Sequence, residues 1–253
     1  MIYLKNLKKA FGDHVVTKDL NLTVEDGELL AIVGRSGEGK SVLLKQIIGL
    51  ITPDDGSIVI DNQDIIQLSV EQKQAVFKKC GYVFQFAALL DSLTVFENIG
   101  ITLLEEGVSR ERVLSLVSEK LHSVGLSTDA LDKYPDELSG GMKKRVGLAR
   151  TLMLSPKILL YDEPTTGLDP ITVRIIHELI KKTHENLKAT SIVISHDVEV
   201  FKYASHVAML HDGKIIYKGP AETIWECDNP YVYQFIRGLE EGPIKPVNII
   251  NQS

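Results

Sequence analysis

The segment Gly34–Ser41 limits what this chain can fold into more than any other part of its sequence. Its letters, GRSGEGKS, fit the phosphate-binding pattern G-x-x-x-x-G-K-[ST]. The apolar run Leu29–Val33 comes directly before it and predicts a strand buried inside a parallel sheet. Leu43, Leu44 and Ile47 follow at helical spacing and predict an amphipathic helix. A strand, a glycine-rich loop and a helix in this order predict an α/β domain that binds phosphate groups.

The residues of this loop have distinct expected roles. Its glycines allow successive backbone N–H groups to point at phosphate oxygens, and the helix after it adds its positive N-terminal end. Lys40 is expected to neutralise β- and γ-phosphate oxygens, and the Ser41 hydroxyl is expected to ligate Mg²⁺. We therefore expect the whole loop and the residue after it to bind ATP: Gly34, Arg35, Ser36, Gly37, Glu38, Gly39, Lys40, Ser41 and Val42.

The run Ile158–Glu163 is an apolar strand that ends in two adjacent acids. These acids could act on a nucleotide bound at the phosphate-binding loop. Successive side chains of a strand point to opposite faces, so Asp162 and Glu163 cannot have the same role. We assign Asp162 to the magnesium ion, and Glu163 to the general base that polarises the attacking water. Together with the phosphate-binding loop, this pair predicts an ATPase.

Ser139, Gly140 and Gly141 form a second candidate for phosphate binding. Ser139 is a good N-cap, and the two glycines allow backbone N–H groups to approach an anion at the start of a helix. The segment lies far along the chain from the first loop, and one chain does not obviously fold it over its own loop. In a two-fold dimer, each Ser139 segment would complete the site of the partner chain. We therefore expect a homodimer with composite ATP sites.

Composition restricts the class of protein further. The 253 residues carry a net charge of −6, which argues against a nucleic-acid backbone as the main partner. Cys80 and Cys227 suit packing in a reducing cytosol better than a disulfide framework. The start, Met1–Lys5, lacks the layout of a secretory signal, and no apolar run approaches the roughly 20 residues needed to span a bilayer. We expect a soluble chain that works at a membrane only through membrane-spanning partners.

The hydrophobic pattern predicts an α/β domain over residues 1–240 with a helical insertion. Alternation at Leu20–Val24 predicts an N-terminal antiparallel β part, and short apolar runs elsewhere predict a mostly parallel sheet. From about residue 89 to 154 the pattern is helical, which predicts an inserted helical subdomain. Residues 241–253 have two prolines and no periodicity, and they predict an extended C-terminal tail.

With these elements in order, the sequence resembles the nucleotide-binding subunits of ABC transporters over nearly its whole length, and Leu138–Met142 looks like the ABC signature. The fold that this implies is a P-loop NTPase with a RecA-like sheet. The resemblance implies that Gln85 senses the magnesium ion and the γ-phosphate, and that His196 contacts the γ-phosphate. Gly167–Asp169 matches the loop that couples the two sites of the dimer. Phe11 stands where the family stacks an aromatic ring on adenine.

A finer resemblance rests on six stretches: Gly34–Ser36, Ser41–Lys45, Phe84–Val95, Asp169–Thr172, Gln234–Gly238 and Gly242–Ile244. They look like the Mla/MCE branch of these ATPases, which moves phospholipids or other lipids between bacterial membranes. This resemblance implies an integral-membrane permease, an MCE-type lipid-binding subunit and a place on the cytoplasmic face of the inner membrane. One departure is Glu38, which puts a carboxylate where a small or neutral residue is common and is expected to weaken nucleotide binding.

Two other functions are compatible with the same motifs. One is a soluble assembly ATPase, such as the iron–sulfur assembly members of the superfamily. The apolar stretch Phe86–Val95 disfavours it, because in transporters this region receives a permease helix. The other is a nucleotide-gated switch that barely hydrolyses ATP. Glu163 beside Asp162 disfavours this reading, since a pure switch could dispense with the base.

Overall fold

Ten strands form two sheets in the computed structural model, which describes residues 1–245. The strands are β1 (Ile2–Phe11), β2 (His14–Val24), β3 (Leu29–Val33), β4 (Asp55–Ile60), β5 (Gln63–Asp64), β6 (Cys80–Val83), β7 (Ile158–Asp162), β8 (Thr190–Ile194), β9 (His206–His211) and β10 (Lys214–Pro220). The larger sheet has the order β10-β9-β3-β8-β7-β6, and all its neighbours are parallel except β9 and β10. The smaller sheet, β2-β1-β4-β5, is antiparallel. The predicted α/β class with an N-terminal antiparallel part is confirmed.

Seven α-helices surround these sheets within residues 1–245: α1 (Lys40–Ile47), α2 (Val70–Phe77), α3 (Val95–Glu105), α4 (Arg110–Ser123), α5 (Gly140–Leu152), α6 (Pro170–Leu187) and α7 (Pro230–Arg237). Three of them, α3 to α5, follow one another between β6 and β7 with no strand among them. None of the seven is both long enough and apolar enough to cross a membrane.

Alternation along the parallel strands divides the core into two layers. Leu30 and Ile32 of β3 face a cluster built with α1, α2 and the antiparallel sheet. Ala31 and Val33 of the same strand face a second cluster, built with α3 to α7. Because both faces of the sheet are covered, every residue of β3, β7 and β8 is buried.

The hydrophobic pattern does not predict α2 or the strand β6 that follows it. Only Val76 of α2 is buried, so the helix carries no apolar stripe that would reveal it. Its start has a local signal instead. The Ser69 hydroxyl accepts a hydrogen bond from Gln72 N, and the Gln72 side chain accepts one from Ser69 N, which together form a capping box.

The beginning of the predicted tail is held against α7. The Gln234 side chain accepts a hydrogen bond from Ile244 N at 2.7 Å and donates one to Ile244 O at 2.9 Å. Ile244 is 7% exposed and belongs to the same core cluster as Ile236. Residues 241–245 therefore form a non-helical segment anchored by one glutamine, while residues 246–253 of the predicted tail lie outside the described residues.

His177 on α6 is buried with no hydrogen-bond partner in the described part of the chain, and this predicts that the stability of the chain depends on pH. It is 1% exposed, and neither ring nitrogen has a hydrogen-bond partner within the part of the chain that the structure describes. Burial lowers the pKa of His177, although the charges of Asp197 and Glu199 oppose the shift. The folded chain therefore keeps this imidazole neutral at a pH where the unfolded chain takes up a proton.

We expect the free energy of unfolding to fall as pH drops below about 6.5, the ordinary histidine value, because protons then bind the unfolded chain in preference. Above that pH His177 is neutral in both the folded and the unfolded chain, so its burial causes no loss of stability through protonation. In the His177→Leu variant, the decline between about pH 7 and pH 5 should be shallower than in the wild type. Urea unfolding at a series of pH values measures both slopes. Equal slopes would show that His177 is not a source of the pH dependence.

Candidate functional site

The candidate site lies where the parallel strands β3, β7 and β8 end side by side. Ser195 N, just past β8, donates to Ile32 O at 3.2 Å, and Glu163 N, just past β7, donates to Ile194 O at 3.2 Å. The strand pairing therefore brings the loops after three separate strands to one edge of the sheet. Ligands of open α/β sheets commonly bind at this carboxyl edge.

The loop after β3 is arranged around Lys40. Gly37 and Gly39 have φ angles of 85° and 90°, left-handed conformations that glycine adopts without strain. The Lys40 ammonium donates to the carbonyl oxygens of Gly34 and Arg35, each at 2.8 Å. Burial lowers the pKa of Lys40, and nearby carboxylates, Glu163 first among them, oppose the shift. The ammonium is therefore held inside the loop, where it can exchange carbonyl partners for phosphate oxygens.

Ser41 and Asp162 meet across the site. The Ser41 hydroxyl donates to Asp162 Oδ1 at 2.6 Å, and the Tyr82 hydroxyl donates to Asp162 Oδ2 at 2.8 Å. Asp162 is only 5% exposed. Its two carboxylate oxygens therefore accept hydrogen bonds from these protein hydroxyls rather than from water. Burial and the bond to Asp162 raise the pKa of Tyr82, which keeps its hydroxyl protonated as a donor. A hydroxyl beside a carboxylate is an oxygen donor set that suits Mg²⁺.

Three side chains converge on one oxygen of Glu163. Thr166 Oγ1 donates to Glu163 Oε2 at 2.9 Å, Gln85 Nε2 donates to it at 3.3 Å, and His196 Nδ1 lies 3.5 Å away. Glu163 also has a φ angle of 47°, a conformation that non-glycine residues rarely adopt and that often marks functional sites. The residues predicted to be catalytic, Glu163, Gln85 and His196, are therefore brought together.

Glu163 and Gln85 line a cleft of about 430 Å³ beside the loop, whereas His196 contacts Glu163 without lining this cleft. Phe11 lies in its wall and is 49% exposed, with the Lys9 ammonium 5.2 Å from the ring centre. An exposed aromatic face at the edge of a phosphate-binding cleft can stack on a nucleotide base. The remaining lining residues are His14, Val16, Ser36, Gly37, Gly39, Lys40, Ser41 and Val42.

Three residues of the predicted ATP-binding loop do not line the cleft. Gly34 lies beneath it and offers its carbonyl oxygen to Lys40. The Arg35 guanidinium donates to Lys245 O at 2.7 Å, away from the loop. Glu38 binds the turn between β9 and β10 through Asp212 N. Glu38, which is expected from the sequence to weaken nucleotide binding, has both carboxylate oxygens engaged by this turn.

The Ser139 segment lies apart from this cleft at the start of α5. The Ser139 hydroxyl accepts a hydrogen bond from Met142 N at 3.3 Å, as an N-cap does. Gly141 approaches α6 so closely that a Cβ atom there would lie 2.7 Å from Thr172 Cγ2. Ser139 and Gly140 are exposed, and none of Ser139, Gly140 and Gly141 lines the cleft of their own chain.

Sequence reasoning missed Tyr82, Thr166 and Arg150. Tyr82 is on β6, which was not predicted, and its contact with Asp162 depends on the pairing of β6 with β7. Thr166 follows Glu163 by three residues, a spacing that a tight turn could have suggested. Arg150 on α5 donates to the carbonyl oxygens of Ala87 and Ala88, at 2.9 and 2.8 Å. No sequence pattern near Arg150 predicts this contact.

Comparison with known proteins identifies the same family that the sequence motifs resemble. The sequence profile of the ABC transporter family matches residues 17–166. The chain is 40% identical to the intermembrane phospholipid transport system ATP-binding protein MlaF of Haemophilus influenzae, over 97% of this chain and 93% of that protein. It is 39% identical to the probable ribonucleotide transport ATP-binding protein mkl of Mycobacterium leprae, over 96% of this chain and 70% of that protein.

A solved structure shares the fold. It is a dimeric ATP-binding cassette in a post-hydrolysis state with ADP and phosphate bound, 33% identical to this chain, with a TM-score of 0.80 over 87% of this chain and 99% of that one. The family profile covers more than half of the chain, and the relatives cover nearly all of it. The chain therefore belongs to the ABC transporter family, as one of its ATP-binding, ATP-hydrolysing subunits.

Proposed function

We propose that this chain hydrolyses Mg²⁺-ATP to drive the transport of lipids, phospholipids first among them, through a separate membrane permease. The choice of lipid as the cargo rests on one observation. The chain is 40% identical to a phospholipid transport ATPase over almost the full length of both chains. The mycobacterial relative is named for a different cargo, but the chain covers a smaller share of that protein, 70% against 93% of the phospholipid transport ATPase.

The site residues fit the hydrolysis of ATP. Ser41 and Asp162 would hold Mg²⁺, and the ion, when bound, neutralises charge that develops on the phosphate oxygens. Lys40 would leave the loop carbonyl oxygens and bind phosphate oxygens instead. Glu163 would accept a proton from the attacking water. Gln85 and His196, which contact its carboxylate, would keep that carboxylate correctly placed relative to the γ-phosphate. Phe11 would stack on the adenine.

The separation of the Ser139 segment from its own cleft supports a homodimer with composite sites. Ser139 and Gly140 are exposed at the start of α5, where backbone N–H groups face an anion most favourably. A second chain, related by a two-fold axis, would place this segment over the opposite cleft. The similar cassette was solved as a dimer.

The segment after Gln85 supports a link between the site and a permease. Phe86 is 83% exposed and Leu90 is 48% exposed, so two large apolar side chains face solvent next to a residue that contacts Glu163. Ala87 and Ala88 between them have left-handed φ angles of 58° and 48°. Arg150 fixes their carbonyl oxygens to α5, so a shift of α5 would be transmitted to this surface.

The remaining parts of the proposal concern place and partners. We place the chain on the cytoplasmic face of the inner membrane, bound to an integral-membrane permease and, with it, to an MCE-type lipid-binding subunit. The similarity to a phospholipid transport ATPase supports this assembly. The net charge of −6 gives nucleic acid no general attraction to the chain.

The Leu90→Glu variant tests the docking surface. We expect a charge at this half-exposed position to abolish co-purification of the permease and ATP-driven transfer of fluorescent phospholipid between vesicles. The melting temperature and the affinity for ATP should stay at the wild-type values, because Leu90 is not part of the core. Pull-down from native membranes, calorimetry and the vesicle assay give the three measurements.

Leu89→Glu is the matched control, because Leu89 packs against the core formed by the helices and is half-buried. A buried charge there should lower the stability of the chain by several kcal/mol. If Leu90→Glu still binds the permease and supports lipid transfer, the docking surface lies elsewhere. If wild-type chain retains no membrane protein at all, the assembly ATPase becomes the better interpretation.

A further inference from the structure

The back of the phosphate-binding loop is attached to the turn between β9 and β10. One Glu38 carboxylate oxygen accepts a hydrogen bond from Asp212 N at 2.7 Å, and the other lies 3.0 Å from His211 Nδ1. Glu38 and His211 are 173 residues apart in the chain, and their side chains are only 15% and 22% exposed. Such burial strengthens a charge-assisted hydrogen bond relative to one in water.

The turn that receives Glu38 is itself fixed at several points. Lys18 N on β2 donates to Gly213 O at 2.9 Å, and the Lys18 ammonium contacts Asp212 Oδ1 at 2.5 Å. The His211 ring lies 5.0 Å from the ring of Tyr231 on α7. A loop that is bonded to this turn is therefore linked through it to β2 and to α7.

The loop also lies directly against its neighbours, with glycines at the contact points. A Cβ atom at Gly34 would lie 2.4 Å from Leu210 O at the end of β9, and one at Gly39 would lie 2.3 Å from Val16 Cγ1 on β2. Glu38 stands between Gly37 and Gly39, the two residues with left-handed φ angles. Glycines have more conformational freedom to lose than other residues, so this part of the loop needs an anchor to stay ordered.

We propose that Glu38 and His211 are positioning residues that hold the phosphate-binding loop ready for nucleotide. The proposal rests on the proposed binding of ATP at this loop and adds to it the residues that prepare the loop. An ordered loop has lost its conformational freedom before the ligand arrives, so less binding free energy is spent on ordering it. Glu163 and its partners lie on other loops, and the chemical step should therefore not depend on this contact.

The expected signature is a change in nucleotide affinity with little change in turnover. Glu38→Ala and His211→Phe should each raise the dissociation constant of ADP and the KM for ATP about ten-fold, the effect of one charge-assisted hydrogen bond. The kcat should stay within about two-fold of wild type. His211→Phe keeps a ring against Tyr231, so the loss is assigned to the nitrogen.

The conservative variant is His211→Asn, whose side-chain amide can place an N–H donor near the position of Nδ1. It should restore most of the affinity that His211→Phe loses. The double variant, Glu38→Ala with His211→Phe, should bind ADP no more weakly than Glu38→Ala alone, because the two side chains act through one contact. Glu226→Ala, which removes an exposed carboxylate on another part of the surface, should behave as wild type.

Calorimetry with Mg²⁺-ADP, steady-state phosphate release and thermal melting make these measurements on the full chain. If wild type binds ADP and the variants bind it equally well, the positioning role is wrong while the proposed function stands. Additive losses in the double variant, or no rescue by Asn, would also contradict the proposal. If wild type binds no nucleotide, the proposed function fails together with it. Should Glu38→Ala fail to fold, the comparison of His211→Phe with His211→Asn still decides the matter.

Discussion

The Glu163→Gln variant should hydrolyse ATP at least about 100-fold more slowly than wild type and bind ATP as well as before. The amide keeps the shape of the side chain and its contacts with Gln85 and Thr166, but it accepts no proton from water. ATP that is bound and not hydrolysed should keep the two chains together. We therefore expect an ATP-bound dimer to accumulate. Phosphate release, calorimetry and size-exclusion chromatography with ATP measure the three effects.

The matched control is Glu178→Gln on α6, where an exposed carboxylate pairs with Arg174 at 3.1 Å. Such an exposed pair is screened by solvent and contributes little to stability, so turnover should not change. A Glu163→Gln turnover within a few-fold of wild type would remove Glu163 from the role of general base. A fall in ATP affinity as large as the fall in turnover would give the side chain a role in binding instead.

Much of the fold and the site could be predicted because the relevant signals are local in sequence. Gly34–Ser41 follows an apolar run directly, and the acids Asp162 and Glu163 end another. Asp61 and Asn62, between β4 and β5, are a local signal of the same kind, because Asp and Asn are typical turn residues. Both residues have positive φ angles, as the two central positions of a tight hairpin turn require.

The rest could not be predicted because it depends on how distant segments meet. The contact of Tyr82 with Asp162 is fixed by the register of β6 against β7, in which Val83 lies opposite Tyr161. Glu38 looks from its position like a residue among the phosphates, and only the packing of β9 beside β3 directs it to His211. Sequence periodicity carries no information on either contact.

Lys40→Ala and Ser139→Arg should each abolish ATP hydrolysis, for different reasons. Without its ammonium, the loop loses the charge that neutralises the phosphates, and the carbonyl oxygens of Gly34 and Arg35 lose their donor. Nucleotide affinity should therefore fall in Lys40→Ala. An arginine at the exposed N-cap Ser139 would crowd the start of α5, so this chain could still pair but could no longer complete the ATP site of its partner, while its own loop stays intact. ADP affinity should therefore survive in Ser139→Arg, at a stability loss of about 1 kcal/mol.

Mixing these two inactive variants tests most directly whether the working unit is a pair of chains with composite sites. In a mixed dimer, one site combines the intact loop of the Ser139→Arg chain with the intact Ser139 segment of the Lys40→Ala chain. The other site has neither. Random pairing should therefore restore about a quarter of the wild-type ATPase activity, since half the dimers are mixed and each has one complete site.

The measurement is the rate of phosphate release from an equimolar mixture after the chains have exchanged, with each variant alone as the control. We expect inactive parents and an active mixture. A mixture as inactive as its parents, or a Ser139→Arg chain that hydrolyses ATP at the full rate by itself, would contradict this expectation.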